Sequence, residues 1–118
     1  MNQPPSIPPQ YEVAKRISAD LSAAAHRLEH AGSFNEFVAA VEAHRNAWLS
    51  IRGFAPTLRA KIPERMMRFS LAAPQKFRQG LSDYDVEVLI RFDRFASDAI
   101  SEAASNPDHP DRRVVRPV

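Results

Sequence analysis

The stretch that decides the fold is AHRNAWLSIRGFAPTLRAKI, residues 43–62. It contains the single tryptophan of the chain, Trp48, and it closes a long helical pattern at Gly53. Pro56 and Thr57 follow, and a proline at such a point ends one helix or begins the next. We therefore predict that this stretch joins two packed helices and that Trp48 is the structural anchor fixing the angle between them.

Apolar residues recur at spacings of three and four on both sides of this joint, a pattern that indicates amphipathic helices. Gly32, Gly53 and Gly80 divide the pattern into four segments. Each glycine follows a helical segment, where a left-handed residue commonly ends a helix, so we expect that conformation at all three. No stretch alternates polar and apolar residues as a strand does. The sequence predicts an all-α fold, a compact bundle of about four helices spanning residues 10–105.

The third and fourth segments differ in regularity. Pro63 and Pro74 fall within the third, and proline removes a backbone hydrogen bond from a helix. We expect the third helix to be bent or broken at Pro63 and near Pro74. The fourth segment presents Val88, Phe92 and Phe95 on one wide apolar face, so we expect this helix to be central to the bundle and Phe92 to be a second structural anchor.

Both ends of the chain are rich in proline, which favours extended and poorly ordered structure. We predict a disordered arm over residues 1–9 and a disordered tail over residues 106–118. The first ten residues lack the basic and apolar regions of a secretory signal. No uncharged apolar run approaches the roughly 20 residues that a membrane helix needs. With no cysteine in 118 residues, the expected protein is soluble and cytoplasmic, without membrane insertion.

Charge is segregated along the chain although the net charge is only +2. Residues 45–80 carry eight Lys and Arg against the single Glu64, whereas residues 1–44 and 81–118 are both acidic overall. Such a basic segment suits an acidic partner, nucleic acid included. It is also explained if the acidic fourth helix packs beside it and neutralises it. The sequence leaves both explanations open.

The sequence shows no pattern of catalysis, cofactor binding or metal binding. It has no phosphate-binding glycine loop, no HExxH and no GxSxG. His44 lies on the apolar stripe of the second helix, where a histidine is usually a hydrogen-bonded core residue, and spacing indicates no partner carboxylate for it. We predict a non-enzymatic protein with no cofactor and no metal site.

The joint and the last helix resemble the FlaF family of flagellar biosynthesis regulators. The resemblance spans about Tyr11 to Ala103. Its most specific part is a helix with Arg and Asn shortly before Trp, here RNAW at residues 45–48, followed by a proline break and a helix of type L-R-A-x-I, here LRAKI at residues 58–62. The chain departs from the family at Asp93, where the family usually has Asn.

The resemblance implies a helical adaptor or chaperone that binds flagellin, or a similar helical protein, and promotes its synthesis or export. An amphipathic helix of the partner would lie in a groove between helices. The predicted partner-binding residues are Arg52, Arg59, Lys61, Arg65, Met66, Met67 and Arg68. The alternative is an RNA- or DNA-binding regulator that uses the basic segment 45–80. The sequence does not predict an oligomeric state.

Overall fold

The structure, a computed structural model, describes residues 9–53 and 60–105. Within these residues the chain forms four α-helices and one 3-10 helix and no strand, which confirms the predicted all-α bundle. The elements are α1 (Pro9–His30), α2 (Phe34–Arg52), α3 (Glu64–Ala72), a 3-10 helix (Ala73–Gln79) and α4 (Asp83–Ser105). None of the described helices is long and apolar enough to cross a membrane.

Several predictions fall outside the described residues. They are the proline-rich arm, except for Pro9 at the start of α1, the tail from residue 106, the break at residues 55–57 and the side chain of Arg59. They stay predictions.

Serine caps begin two of the helices. Ser33 Oγ accepts a hydrogen bond of 3.1 Å from the Glu36 amide, while the Glu36 carboxylate accepts one of 2.7 Å from the Gly32 amide. This is a capping box whose return bond goes to the residue before the cap. At the start of α4, the Asp85 amide donates to Ser82 Oγ at 3.0 Å. Both caps satisfy amides that have no partner inside the helix.

The predicted glycine conformations were right at one position of three. Gly80, after the 3-10 helix, has a φ of 98°, a backbone conformation that residues with a side chain rarely adopt. Gly53 ends α2 with a φ of −89°, and Gly32 does not have a positive φ. The prediction was therefore wrong at Gly32 and Gly53, where the chain leaves α1 and α2 without a positive φ.

The central element of the bundle is α1, not α4 as the width of its apolar face suggested. α1 makes the most extensive contact with α4 and the next most extensive with α2. α1 and α4 run antiparallel, since Ser18 contacts Ser97 and Glu29 pairs with Arg94. Along these two helices, Ile17, Leu21 and Ile100 are fully buried. The face of α4 centred on Leu89, Ala96 and Ile100 contributes to the core.

The third segment is broken at both prolines, as predicted. The chain reaches α3 through a turn at Ala60 and Lys61, and Pro63 directly precedes the first helical residue. At the other end, α-helical geometry changes to 3-10 geometry at Ala73, one residue before Pro74. Ile62 and Ala73, on either side of α3, are buried, whereas Met66 and Phe69 of the expected apolar stripe are half-buried.

Candidate functional site

A buried polar network joins α2, α3 and α4. His44 and Trp48 lie one turn apart on α2, and Asp93 lies on α4; all three side chains are fully buried. Trp48 Nε1–H donates to Asp93 Oδ1 at 2.7 Å, and His44 Nδ1 lies 2.6 Å from the same oxygen. The other ring nitrogen, Nε2, lies 2.8 Å from the carbonyl oxygen of Ser70 in α3. Asp93 is the carboxylate partner of His44 that spacing along the sequence did not reveal.

The Ser70 carbonyl needs a donor from outside its own helix. In a regular α-helix it would accept from the amide of residue 74, but Pro74 has no N–H. The neighbouring amide of Ala73 does not fill this role, because it donates to the Phe69 carbonyl. His44 Nε2 therefore supplies the hydrogen bond that the proline removes. The break in α3 and the buried histidine of α2 are two parts of one arrangement.

His44 Nδ1 and Asp93 Oδ1 are close enough to share a proton. A carbonyl oxygen only accepts, so Nε2 must carry a hydrogen. Two lone pairs 2.6 Å apart would repel, so a further proton lies on Nδ1 or on the carboxyl. The close approach is not aligned as a straight hydrogen bond. Burial raises the pKa of Asp93, and this effect exceeds the lowering by His44, Trp48 and Arg94.

The network is not a nucleophilic triad, although Ser, His and Asp are the residue types of one. His44 contacts the backbone carbonyl of Ser70 and not its hydroxyl. Ser70 Oγ is buried and has no hydrogen-bond partner, and Asp93 Oδ2 is in the same situation. A triad needs its hydroxyl hydrogen-bonded to the histidine and open to substrate. This arrangement connects helices.

Next to this network, α3 and α4 carry an apolar surface. Phe69 and Phe92 meet edge to face with ring centroids 5.7 Å apart. Phe95 follows Phe92 by one turn and is 46% exposed. The backbones of α3 and α4 approach each other over only a short length, so the side chains between them are not fully covered. We define the α3–α4 surface as Met66 and Phe69 of α3 together with Val88, Phe92, Phe95 and Ala99 of α4.

This surface occupies one side of α4 only. Its α4 residues lie at spacings of three and four on one flank of the buried stripe, and all are half-buried except Phe95, which is exposed. The opposite flank of α4 carries mainly polar residues, among them Glu87, Arg94, Asp98 and Ser101, all exposed. Since Phe92 contacts Phe69, the apolar flank is the one that faces α3.

The structure separates the predicted binding residues into two groups. Met67 is buried in the core and Met66 is half-buried, so only Met66 of the pair reaches the surface in this conformation. Arg52, Lys61, Arg65 and Arg68 are exposed. On the wheel of α3, Arg65 directly borders the flank formed by Met66 and Phe69. The predicted anchor Trp48 is fully buried, whereas Phe92 is half-buried beside Phe69.

Asp83, Asp85, Glu87 and Asp93 of α4 form no ion pair with the described basic side chains of residues 45–80. Asp93 is buried against His44. The one exposed ion pair found between described residues joins Arg94 to Glu29. The basic side chains of α2 and α3 therefore face solvent.

A second concave site lies between α1 and α2, with a cavity volume of about 230 Å³. Ala23, Ala43 and Ala47 contribute small side chains to it, and Asp20 and Arg27 contribute opposite charges. No group of three or more metal-ligating side chains gathers here or elsewhere in residues 9–53 and 60–105.

Comparison of the chain with protein-family models, with curated proteins and with solved structures finds no match.

Proposed function

We propose that this protein is a non-enzymatic, FlaF-like flagellar biosynthesis factor that binds flagellin and promotes its synthesis or export. The observation that carries the proposal is the α3–α4 surface, an apolar flank with an exposed phenylalanine between two helices of a small bundle. Surfaces of this kind accept the apolar face of an amphipathic helix. The resemblance at residues 45–48 and 58–62 supports flagellin as the source of that helix.

Charge complementarity defines the partner helix further. Arg65 borders the α3–α4 surface, and Lys61 is exposed just before α3. A bound helix with acidic residues along one edge of its apolar stripe would place those residues near Arg65. Aromatic and arginine residues are the types most often found to dominate the energy of such interfaces.

The test is calorimetry with unassembled flagellin of the same organism. We expect Phe95→Ala to weaken binding at least tenfold while leaving the fold intact, because Phe95 is the most exposed apolar residue of the surface. We expect Arg65→Glu to weaken binding more than the matched control Arg16→Glu, an exposed arginine on α1. The absence of binding at about 50 μM with both proteins folded would overturn the proposal. Equal effects of the two Arg→Glu variants would place the site elsewhere.

The exposed basic segment favours a second candidate, an RNA- or DNA-binding regulator. Arg52, Lys61, Arg65 and Arg68 have no acidic partner among the described residues. A protein that contacts phosphates with such residues loses affinity steeply as salt rises. A shift of flagellin leader RNA or random duplex at 50 mM salt that disappears at higher salt would support this candidate, and no shift at low salt would remove it.

A further inference from the structure

We propose that His44 and Asp93 form a proton-dependent latch that holds α3 in the bundle, so that loss of their shared proton releases α3. The latch consists of His44, Asp93 and the Ser70 carbonyl. It goes beyond the proposed function, because it concerns the opening of α3 whether or not flagellin is the partner.

The first step is the dependence of α3 on His44. α3 has only nine residues, too few for a helix to be stable by itself, so it relies on tertiary contacts. Its last turn ends in the Ser70 carbonyl that Pro74 leaves without a helical donor. His44 Nε2–H supplies that donor in a fully buried position. Losing this bond would leave a buried carbonyl unsatisfied, which favours local opening.

The second step is the count of protons. With the latch closed, the pair holds two exchangeable protons, one on Nε2 and one shared by Nδ1 and the carboxyl. With α3 released and water admitted, the carboxyl of Asp93 returns toward its ordinary pKa and loses its share of the proton. The closed state therefore binds more protons than the open state, and its population relative to the open state falls as pH rises. The raised pKa of Asp93 agrees with this direction.

Among the side chains that the structure describes, no other buried titratable group lies beside His44 and Asp93. Around His44, α4 contributes Asp93, α3 contributes the Ser70 carbonyl and α2 contributes Trp48. The described part of α1 places no titratable side chain in the core. Arg94 follows Asp93 on α4, but its side chain is exposed and pairs with Glu29.

The third step connects the latch to the surface. Ser70 directly follows Phe69, and Asp93 directly follows Phe92. The latch thus fixes the backbone next to both rings of the edge-to-face pair. Release of α3 separates these rings, takes the α3–α4 surface apart and uncovers Met67, which is buried in the closed state.

The experiment is amide hydrogen exchange of the full chain, without any partner, between pH 5 and pH 8. After correction for intrinsic exchange, we expect amides from Met67 to Ala72 to be less protected than those in the middle of α1. We expect their protection to fall as pH rises across this range. In Asp93→Asn the shared proton is gone. Protection of α3 should then no longer fall as pH rises, because no buried carboxyl is left to lose its proton. The exposed residue Asp98 provides the control Asp98→Asn, which should follow the wild-type profile.

Two outcomes would overturn the latch, and both can be read from the wild-type protein even if Asp93→Asn does not fold. In the first, α3 and α1 have equal protection at every pH, so α3 does not open by itself. In the second, α3 opens by itself but with no dependence on pH. Because no flagellin is used, failure here is separate from failure of the calorimetric test of function.

Discussion

Trp48 and Asp93 are hydrogen-bonded at 2.7 Å across the core, although the backbones of α2 and α4 lie apart over most of their length. The indole spans this distance, and its N–H meets the carboxyl oxygen that also contacts His44. The single tryptophan therefore fills space and also connects two helices through a polar bond. Its replacement should show both contributions.

Trp48→Phe keeps most of the ring and removes the N–H. We expect the free energy of unfolding to fall by about 1–3 kcal/mol, because a buried carboxyl oxygen loses a donor. Trp48→Ala should cost more, about 3–5 kcal/mol, since it also leaves a large cavity. Urea unfolding followed by circular dichroism measures both. A cooperative, fully stable Trp48→Ala protein that had lost only partner binding would show that Trp48 belongs to a binding site.

Global stability should depend on pH through the buried pair of His44 and Asp93. Burial raises the pKa of Asp93, so its contribution to stability is present at low pH and is lost as pH rises. This contribution is complete below the ordinary pKa of a carboxyl, about 3.9, and is lost as pH rises through the higher pKa that Asp93 has in the folded chain.

Asp93→Asn is the control for that profile and should remove it. The variant has no carboxyl at this position, so its stability should not fall with rising pH through this residue. Denaturant titrations at pH 5, 6.5 and 8 for both proteins give the difference, from which the exposed histidines cancel. Parallel profiles for the two proteins would show that His44 and Asp93 share no proton.

Pro74 and His44 should be energetically coupled. His44→Leu removes the donor to the Ser70 carbonyl, whereas Pro74→Ala gives that carbonyl a helical N–H. We therefore expect His44→Leu to cost less in the Pro74→Ala background than in the wild type, with a coupling of about 0.5–3 kcal/mol. A double-mutant cycle by urea unfolding measures it. Additive costs would mean that the missing amide of Pro74 is unrelated to the role of His44.

The α1–α4 contact contains a reciprocal pair of serines whose loss should not be additive. Ser18 Oγ donates to the Ser97 carbonyl at 2.9 Å, and Ser97 Oγ donates to the Ser18 carbonyl at 2.8 Å. Each Ser→Ala variant should lower the free energy of unfolding by about 1 kcal/mol. Because the two hydroxyls also lie 3.0 Å apart, the double variant should lower it by less than the two single variants combined, as unfolding titrations would show. A strictly additive result would contradict mutual dependence of the two hydroxyls.

Local features of the sequence were enough to predict the helices. The spacing of apolar residues, the serines at positions 33 and 82 and the prolines at positions 63 and 74 all act within one or two turns of the chain. The described elements therefore agree with the prediction of four helices and of breaks in the third. The same spacing suggested that α4 is central, which was wrong, because an apolar face does not show which neighbour covers it.

The candidate site depended on contacts far apart in the sequence. His44 and Trp48 were correctly placed on the buried stripe of α2, but their partner Asp93 is 45 residues beyond Trp48, in the helix whose acidic residues offered one explanation of the basic segment. Within α4, Asp93 falls on the buried face, between Leu89 and Ala96. That position was the one signal in the sequence from which its burial could have been predicted.

By itself, the sequence determined where helices begin, end and break, because capping, proline geometry and apolar periodicity are local properties of the chain. The tertiary structure alone decided that the histidine of α2 donates to the carbonyl that Pro74 deprives of an amide. It alone decided that Asp93 is buried beside Trp48 and that one apolar flank of α4 stays open toward α3. These outcomes depend on how the helices pack against one another, and packing brings together residues whose separation along the chain carries no information about their contact.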